Sequence, residues 1–172
     1  MSDKAPPTIP YETAHWDLTP GRTVLVIIDP QNDFLHPEGC YAEKGIDIDH
    51  MRRVIEPIRQ LLKDVRAKNI PVVWTRHGTR GLDDGGPFMR LRPFLAEGGL
   101  RQGTWGYQIY EDLEPREADW YVEKTRLSAF FQTNLESVLR NLDADTVLIT
   151  GVLTNQCVAA TSKDAMFRDF KP

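Results

Sequence analysis

Residues 24–29, VLVIID, form an unbroken apolar run that closes on an acid. A strand with one wet face alternates apolar and polar side chains. A run without that alternation fits a strand buried on both faces, the usual state in a parallel sheet covered by helices. Three further short segments read as strands: PVVWT (71–75), WYVE (120–123) and TVLIT (146–150). Between the first two, Met51, Val54, Ile55, Ile58, Leu61, Leu62 and Val65 recur at three- and four-residue steps. That periodicity predicts an amphipathic helix over about residues 50–68, with Asp49 at its start and Pro57 as the place for a kink or a later start. Thr133 with Glu136 makes a capping box ahead of Leu135, Val138, Leu139 and Leu142, and residues 155–169 read as a third helix. Strands alternating with such helices imply βαβ units and a mainly parallel sheet with helices on both faces. The stretch 77–118, rich in Gly, Pro and Arg, is expected to be irregular, and a loop that long in a compact domain usually has a functional role.

Composition narrows the classes. A chain of 172 residues fits one domain, able to bury about 70% of its unfolded surface without a disulfide or metal staple. Hydrophobic residues at 41% and charged residues at 27% are ordinary for a soluble protein, and a net charge of -4 gives no reason to expect nucleic acid. No apolar run has membrane-spanning length, and MSDKAPPTIP lacks the apolar stretch of a secretory signal. Residues 1–20 read as a flexible leader and 21–172 as a single domain. Two cysteines, Cys40 and Cys157, without a signal peptide suggest a reducing, cytoplasmic location rather than a bridge between them.

Ligands of parallel sheets bind beyond the carboxyl ends of the strands. Asp29 ends the first strand, Lys124 follows the third, and Cys157 lies just past the fourth at a helix start, so three useful side chains should converge on one sheet edge. With Thr154 as N-cap, the Cys157 thiol would stand in the first helical turn. There the helix dipole favours the thiolate, and unpaired N–H groups can bind an oxyanion. The plain alternative is a buried structural cysteine. Asp29 can be a proton acceptor against apolar walls or a cap of the following turn. Lys124 is a surface lysine unless it meets Asp29. Of His15, His36, His50 and His77, only His77, after VVWTR, lies near a strand's carboxyl end, which makes a Cys–His pair conceivable. No H-E-x-x-H, C-x-x-C, P-loop or G-x-G-x-x-G pattern is present.

The segments VLVIIDPQNDF (24–34), VVWTR (72–76), EKTRLSAFFQTNLESVLR (123–140) and VLITGVLTNQCVAAT (147–161) together resemble the isochorismatase-like cysteine hydrolases. That family includes nicotinamidases, N-carbamoylsarcosine amidase, biuret hydrolase and ureidoacrylate amidohydrolase. The resemblance implies an α/β fold, a three-layer α/β/α arrangement around a mainly parallel central sheet. It also implies a triad of Asp29, Lys124 and Cys157, a cis peptide between Val152 and Leu153, and an oxyanion site made by the Leu153 and Cys157 N–H groups. GTWGYQIYEDLEP and KTRLSAFF look most like the ureidoacrylate, biuret and triuret branch. The stretch RHGTRGLDDGG, with the single His77, departs from the metal-ligand pattern of nicotinamidases, so neither a metal nor another cofactor is expected. Cys157 itself disfavours the isochorismatases proper, which lack the nucleophile.

The resulting expectation is hydrolysis of a small-molecule amide or ureide through a thioester, with no nucleic-acid or membrane partner, in a homodimer or homotetramer. Phe34, Trp105 and Phe130 are candidates for pocket walls, and Arg126 for a substrate carboxylate or carbonyl. A nicotinamidase-type amidase and a binding protein that keeps the fold without activity are the alternatives. The chain stops at RDFKP, where relatives usually continue with another strand and helix, so elements usual in the family are expected to be missing.

Overall fold

The structure is a computed structural model and describes residues 17–81 and 83–172. Most of the expected leader, residues 1–16, lies outside the described residues. A 3-10 turn, Pro20–Arg22, leads into β1 (Thr23–Ile28). Short helices α1 (Asn32–Leu35), α2 (Cys40–Glu43) and α3 (Asp49–Arg52) precede the longer α4 (Ile55–Ala67). β2 (Val72–His77), α5 (Gly86–Arg90), β3 (Trp120–Lys124), α6 (Leu135–Asn141), β4 (Thr146–Gly151) and α7 (Ala159–Met166) follow. The strands pair in the order β3-β2-β1-β4, and every pair is parallel.

All six residues of β1 are buried, as the unbroken apolar run predicts. Their side chains alternate between the two faces. Leu25 and Ile27 join Val72 and Trp74 in a core closed by Ile58, Leu62 and Val65 of α4. Val24, Val26 and Ile28 join Val73, Val122 and Val147 in a second core closed by Leu135, Val138 and Leu139 of α6 and Ala165 of α7. The result is a three-layer α/β/α sandwich. From β1 the chain steps to β2 on one side, and later returns from β3 to β4 on the other. The topological switch point therefore lies between β1 and β4, where crevices form at the carboxyl edge of such sheets.

The helix periodicity over 50–68 resolves into two helices, and Pro57 marks the later start: it stands in the first turn of α4, where a missing N–H costs nothing. The cap differs from expectation. Asp49 is the first helical residue of α3, and its N–H donates to the carboxylate of Asp47 (2.9 Å). The capping box at Thr133 and Glu136 does not form either. Thr133 Oγ1 accepts from the Leu135 N–H (3.1 Å), one residue nearer than a capping box requires, while Glu136 reaches Arg140 and Arg168.

The stretch 77–118 carries α5 and two 3-10 turns, Pro93–Glu97 and Glu111–Leu113, among irregular segments. Its fixed points come from three consecutive polar residues after β1. Gln31 Nε2 donates to the carbonyls of His77 (3.1 Å) and Tyr107 (3.0 Å). Asn32 Nδ2 donates to the Trp105 carbonyl (2.9 Å). The Asp33 carboxylate accepts from the N–H groups of Leu100 (2.7 Å) and Cys40 (3.1 Å). Gly106 passes so close to that carboxylate that a β-carbon there would overlap it. Loop backbone that would otherwise be buried unpaired thus finds partners, which is the condition for a long loop to pack inward.

Candidate active site

The ends of β1, β3 and β4 each deliver one ionisable group to the same buried spot, beside His77 at the end of β2. Asp29 follows β1 directly. Its backbone lies in the left-handed region (φ 48°), uncommon for a residue with a side chain but tolerated by Asp, and this turns the carboxylate back over the sheet edge. Thr75 Oγ1, on neighbouring β2, donates to Asp29 Oδ1 (2.6 Å) and accepts from the Asp29 N–H (3.1 Å), so the carboxylate is clamped from both ends.

Lys124 is the last residue of β3, and its side chain is wholly buried. Its ammonium lies 2.7 Å from Asp29 Oδ2 and 3.3 Å from Cys157 Sγ, and donates to the carbonyls of Arg126 (2.9 Å) and Leu127 (3.1 Å). An ammonium has three N–H bonds. Two are held by carbonyls of the segment that follows β3, and the third faces the acid and the thiol together. The surface-lysine alternative is thereby excluded: a buried charge persists only when paired and hydrogen-bonded in this way.

Cys157 arrives from β4. Gly151 ends that strand at φ 120°, and a β-carbon there would run into the carbonyl of Ile28, so only glycine lets the β4 exit pass β1. The Val152–Leu153 peptide is cis. A π-helical turn, Thr154–Val158, then runs into α7, with the Val158 N–H donating to the Leu153 carbonyl (3.2 Å). The N-cap position falls on Leu153 rather than Thr154, because the wider turn starts one residue earlier and uses no side-chain cap. α7 is tied to the lysine-bearing segment: the Ala129 N–H donates to Thr161 Oγ1 (3.0 Å), and Ser128 donates to Asp164.

The thiol corrects one expectation. A helix start was expected to favour the thiolate. Burial instead pushes the Cys157 thiol up to about 12, with the Asp29 charge adding to the rise and Lys124 opposing it. The resting thiol keeps its proton at neutral pH. Asp29 acts on the thiol directly, and its Oδ2 has the ammonium as counter-charge and, among the described residues, no hydrogen-bond donor.

His77, the competing base, ends β2 and is also buried, with Nδ1 3.9 Å from Cys157 Sγ. Burial first, then the Lys124 charge, pushes its pKa down to about 3. It is a neutral ring at neutral pH, stacked at 4.8 Å on Phe88 of α5. Asp29, His77 and Cys157 present ligand atoms within 4.8 Å of one another, a set that could hold a metal ion. The Lys124 ammonium already supplies the positive charge next to two of the three.

The other expected site residues are scattered. Phe34 is buried and packs on Tyr41 (4.8 Å). Phe130 stacks on Phe170 (5.9 Å) in the core beneath α7. Trp105 is 51% exposed and sits edge-on to His36 (4.8 Å). Arg126 donates to the carbonyls of Asp84 (2.7 Å) and Thr125 (2.9 Å), so it serves the loop backbone. Cys40 and Cys157 are both free thiols. The sequence reading passed over Thr75, the Gln31–Asp33 trio and the segment around Phe88 and Arg92. A polar residue closing an otherwise apolar strand, as in PVVWT, was the available signal for Thr75.

Comparison with known proteins agrees with this architecture. A family model described as the isochorismatase domain matches residues 23–172. A ureidoacrylate amidohydrolase (RutB) from Agrobacterium fabrum is 33% identical over 178 residues, 95% of this chain and 78% of that protein. Among solved structures, a cysteine hydrolase from Pseudomonas syringae pv. phaseolicola superposes with a TM-score of 0.85 at 30% identity, covering 95% of this chain and 74% of the other. An N-carbamoylsarcosine amidase from Thermoplasma acidophilum gives 0.71 at 26% identity, covering 87% and 78%. No helix among the described residues is long and apolar enough to cross a membrane.

Proposed function

The chain belongs to the isochorismatase family and is a hydrolase of carbon–nitrogen bonds other than peptide bonds; from that premise we propose that it cleaves a small linear amide or ureide through a thioester on Cys157. The observation that carries this reading is the single ammonium of Lys124 bridging Asp29 and Cys157, all three buried at the sheet edge.

In the proposed reaction, Asp29 Oδ2 takes the Cys157 proton as the sulfur attacks the substrate carbonyl. A thiol held near 12 is a poor nucleophile until its proton leaves, so proton transfer and attack belong together. The N–H groups of Leu153 and Cys157 receive the oxyanion, the type of contribution that is usually the largest. As the tetrahedral species collapses, Asp29 gives its proton to the leaving nitrogen and the thioester remains. Asp29 then takes a proton from water, the hydroxide attacks the thioester carbonyl, and the thiol is regenerated with the proton returned. Lys124 keeps one positive charge beside a negative charge that moves between carboxylate and sulfur. His77 is an unsuitable base, because burial and Lys124 oppose any proton on its ring.

Release of ammonia from biuret, triuret, N-carbamoyl amino acids and nicotinamide tests the reading. Turnover of one of the ureides by protein without stoichiometric metal is the expected outcome. Turnover of nicotinamide alone, by protein carrying bound zinc or iron, would replace it with a nicotinamidase.

A further inference from the structure

Arg92 stands between α5 and the following 3-10 turn, half-buried and close to the nucleophile without belonging to the triad. One guanidinium nitrogen donates to Gln156 Oε1 (2.6 Å), the side chain immediately before Cys157. The guanidinium carbon lies 4.2 Å from the centre of the Phe88 ring. Phe88 packs on His77, whose Nδ1 is 3.9 Å from Cys157 Sγ. The Arg92 charge acts on His77 and on the buried Tyr41, and Tyr41 in turn feels the charge state of Cys157. Arg92 is thus tied through Gln156 to the residue next to Cys157, and through Phe88 to His77.

A guanidinium offers five N–H donors in a fork that matches a carboxylate. Arg66, Arg76, Arg140 and Arg168 all meet carboxylates in this molecule. Among the described residues Arg92 meets none. Its one hydrogen bond goes to a neutral amide oxygen and its charge rests on the Phe88 ring, which leaves most of its donors unused and no carboxylate as counter-charge. Arg126 is already committed to two backbone carbonyls. The triad cannot supply the missing anion either, since Asp29 is balanced by Lys124.

Resting on the amidohydrolase reading above, we propose that Arg92 determines specificity: the amide or ureide cleaved at Cys157 carries a carboxylate, which displaces Gln156 from the Arg92 guanidinium.

Two measurements on wild type, Arg92→Gln and Arg92→Lys test it. The first compares kcat/KM for 3-ureidopropanoate with that for uncharged butylurea. Charge-assisted hydrogen bonds of this kind set the expected size, a fall of about 10- to 100-fold in the anionic-to-neutral ratio for Arg92→Gln, mostly through KM. Arg92→Lys keeps the charge and loses the fork, and should fall between. The second compares the rates at which iodoacetate and iodoacetamide alkylate Cys157, read at that residue by peptide mass spectrometry. The iodoacetate-to-iodoacetamide ratio should drop by a similar factor in Arg92→Gln. Each ratio is taken within one variant, so a general loss of folded protein cancels. An unchanged alkylation ratio overturns the proposal. So does a parallel rise for both reagents, which would make Arg92 a latch on the covering segment. If neither ureide is hydrolysed, the amidohydrolase reading fails, while the alkylation ratio still decides the role of Arg92.

Discussion

The six residues from Asp29 to Phe34 build two cysteine–aspartate neighbourhoods with opposite characters. At one, Asp29 faces Cys157 across the Lys124 ammonium. At the other, Asp33 accepts from the backbone of Cys40 and Leu100, with no cation on its carboxylate among the described residues. Burial raises both thiols, and it raises Asp33 as well despite its two N–H donors. The difference lies in the buried positive charge. With it, a proton can move from sulfur to carboxylate while the local charge stays balanced. Without it, the same pair of residue types is a hydrogen-bonded anchor for a loop. A buried Cys beside an Asp is therefore not a catalytic signal until a cation joins them.

The largest expected contrast is between the thiols. Cys157→Ala should lower turnover by at least about 1,000-fold, as removal of a covalent nucleophile does, with the circular dichroism spectrum preserved. Cys40→Ala should leave turnover measurably unchanged. Equal losses in the two variants would erase the distinction. Between the acids, Asp29→Asn should cost at least about 100-fold in kcat. If that variant stayed active while His77→Gln did not, the histidine would be the base. Lys124→Met should slow alkylation of Cys157 by about tenfold or more, because an opposite charge at this range favours the thiolate, while Cys40 reacts as before. A variant that alkylates at the wild-type rate would show that the ammonium is not what separates the two neighbourhoods.

Asp33→Asn should act on stability. One of two buried N–H groups would lose its acceptor, at a cost of about 1–3 kcal/mol in denaturant unfolding, and amide exchange in residues 98–108 should quicken. A further effect on stability is read as a pH slope and concerns His77. An unfolded histidine takes up its proton below about pH 6.5, whereas the folded one resists until about 3. Between those values the unfolded chain binds the extra proton, so the contribution of His77 is full above the window and lost as pH falls through it. The expected slope is about 1.4 kcal/mol per pH unit. Urea midpoints for His77→Gln should show that slope flattened.

The convergence of Asp29, Lys124 and Cys157 was readable because each lies at a strand's carboxyl end, and strand ends follow from apolar runs that are local in sequence; their grouping as a triad is what the family resemblance implies. Asp29, Lys124 and Cys157 needed no knowledge of side-chain direction beyond that. The state of the thiol was not readable, because burial outweighs the helix end and burial depends on everything that packs above it. The shape of 77–118 was hidden for a related reason. It is set by Gln31, Asn32 and Asp33, whose side chains bond to backbone far along the chain. Backbone carries no residue-specific mark, so no pattern links QND to Trp105, Tyr107 or Leu100. Arg126 and Arg92 show the same limit. Both are arginines, and what separates them is that the first is committed to carbonyls while the second meets no carboxylate among the described residues.

The strand order has a consequence for how this molecule is made. β1 is central, yet it precedes both of its neighbours in the chain, and β4 follows more than a hundred residues later. During synthesis, at about 5–20 residues per second, a fully buried, largely apolar strand waits for several seconds with an edge unpaired. Such an edge is a template for pairing with other chains. A slowed ribosome between residues 125 and 145 should therefore increase aggregation more than the same pause placed after β4, when both edges of β1 are already closed.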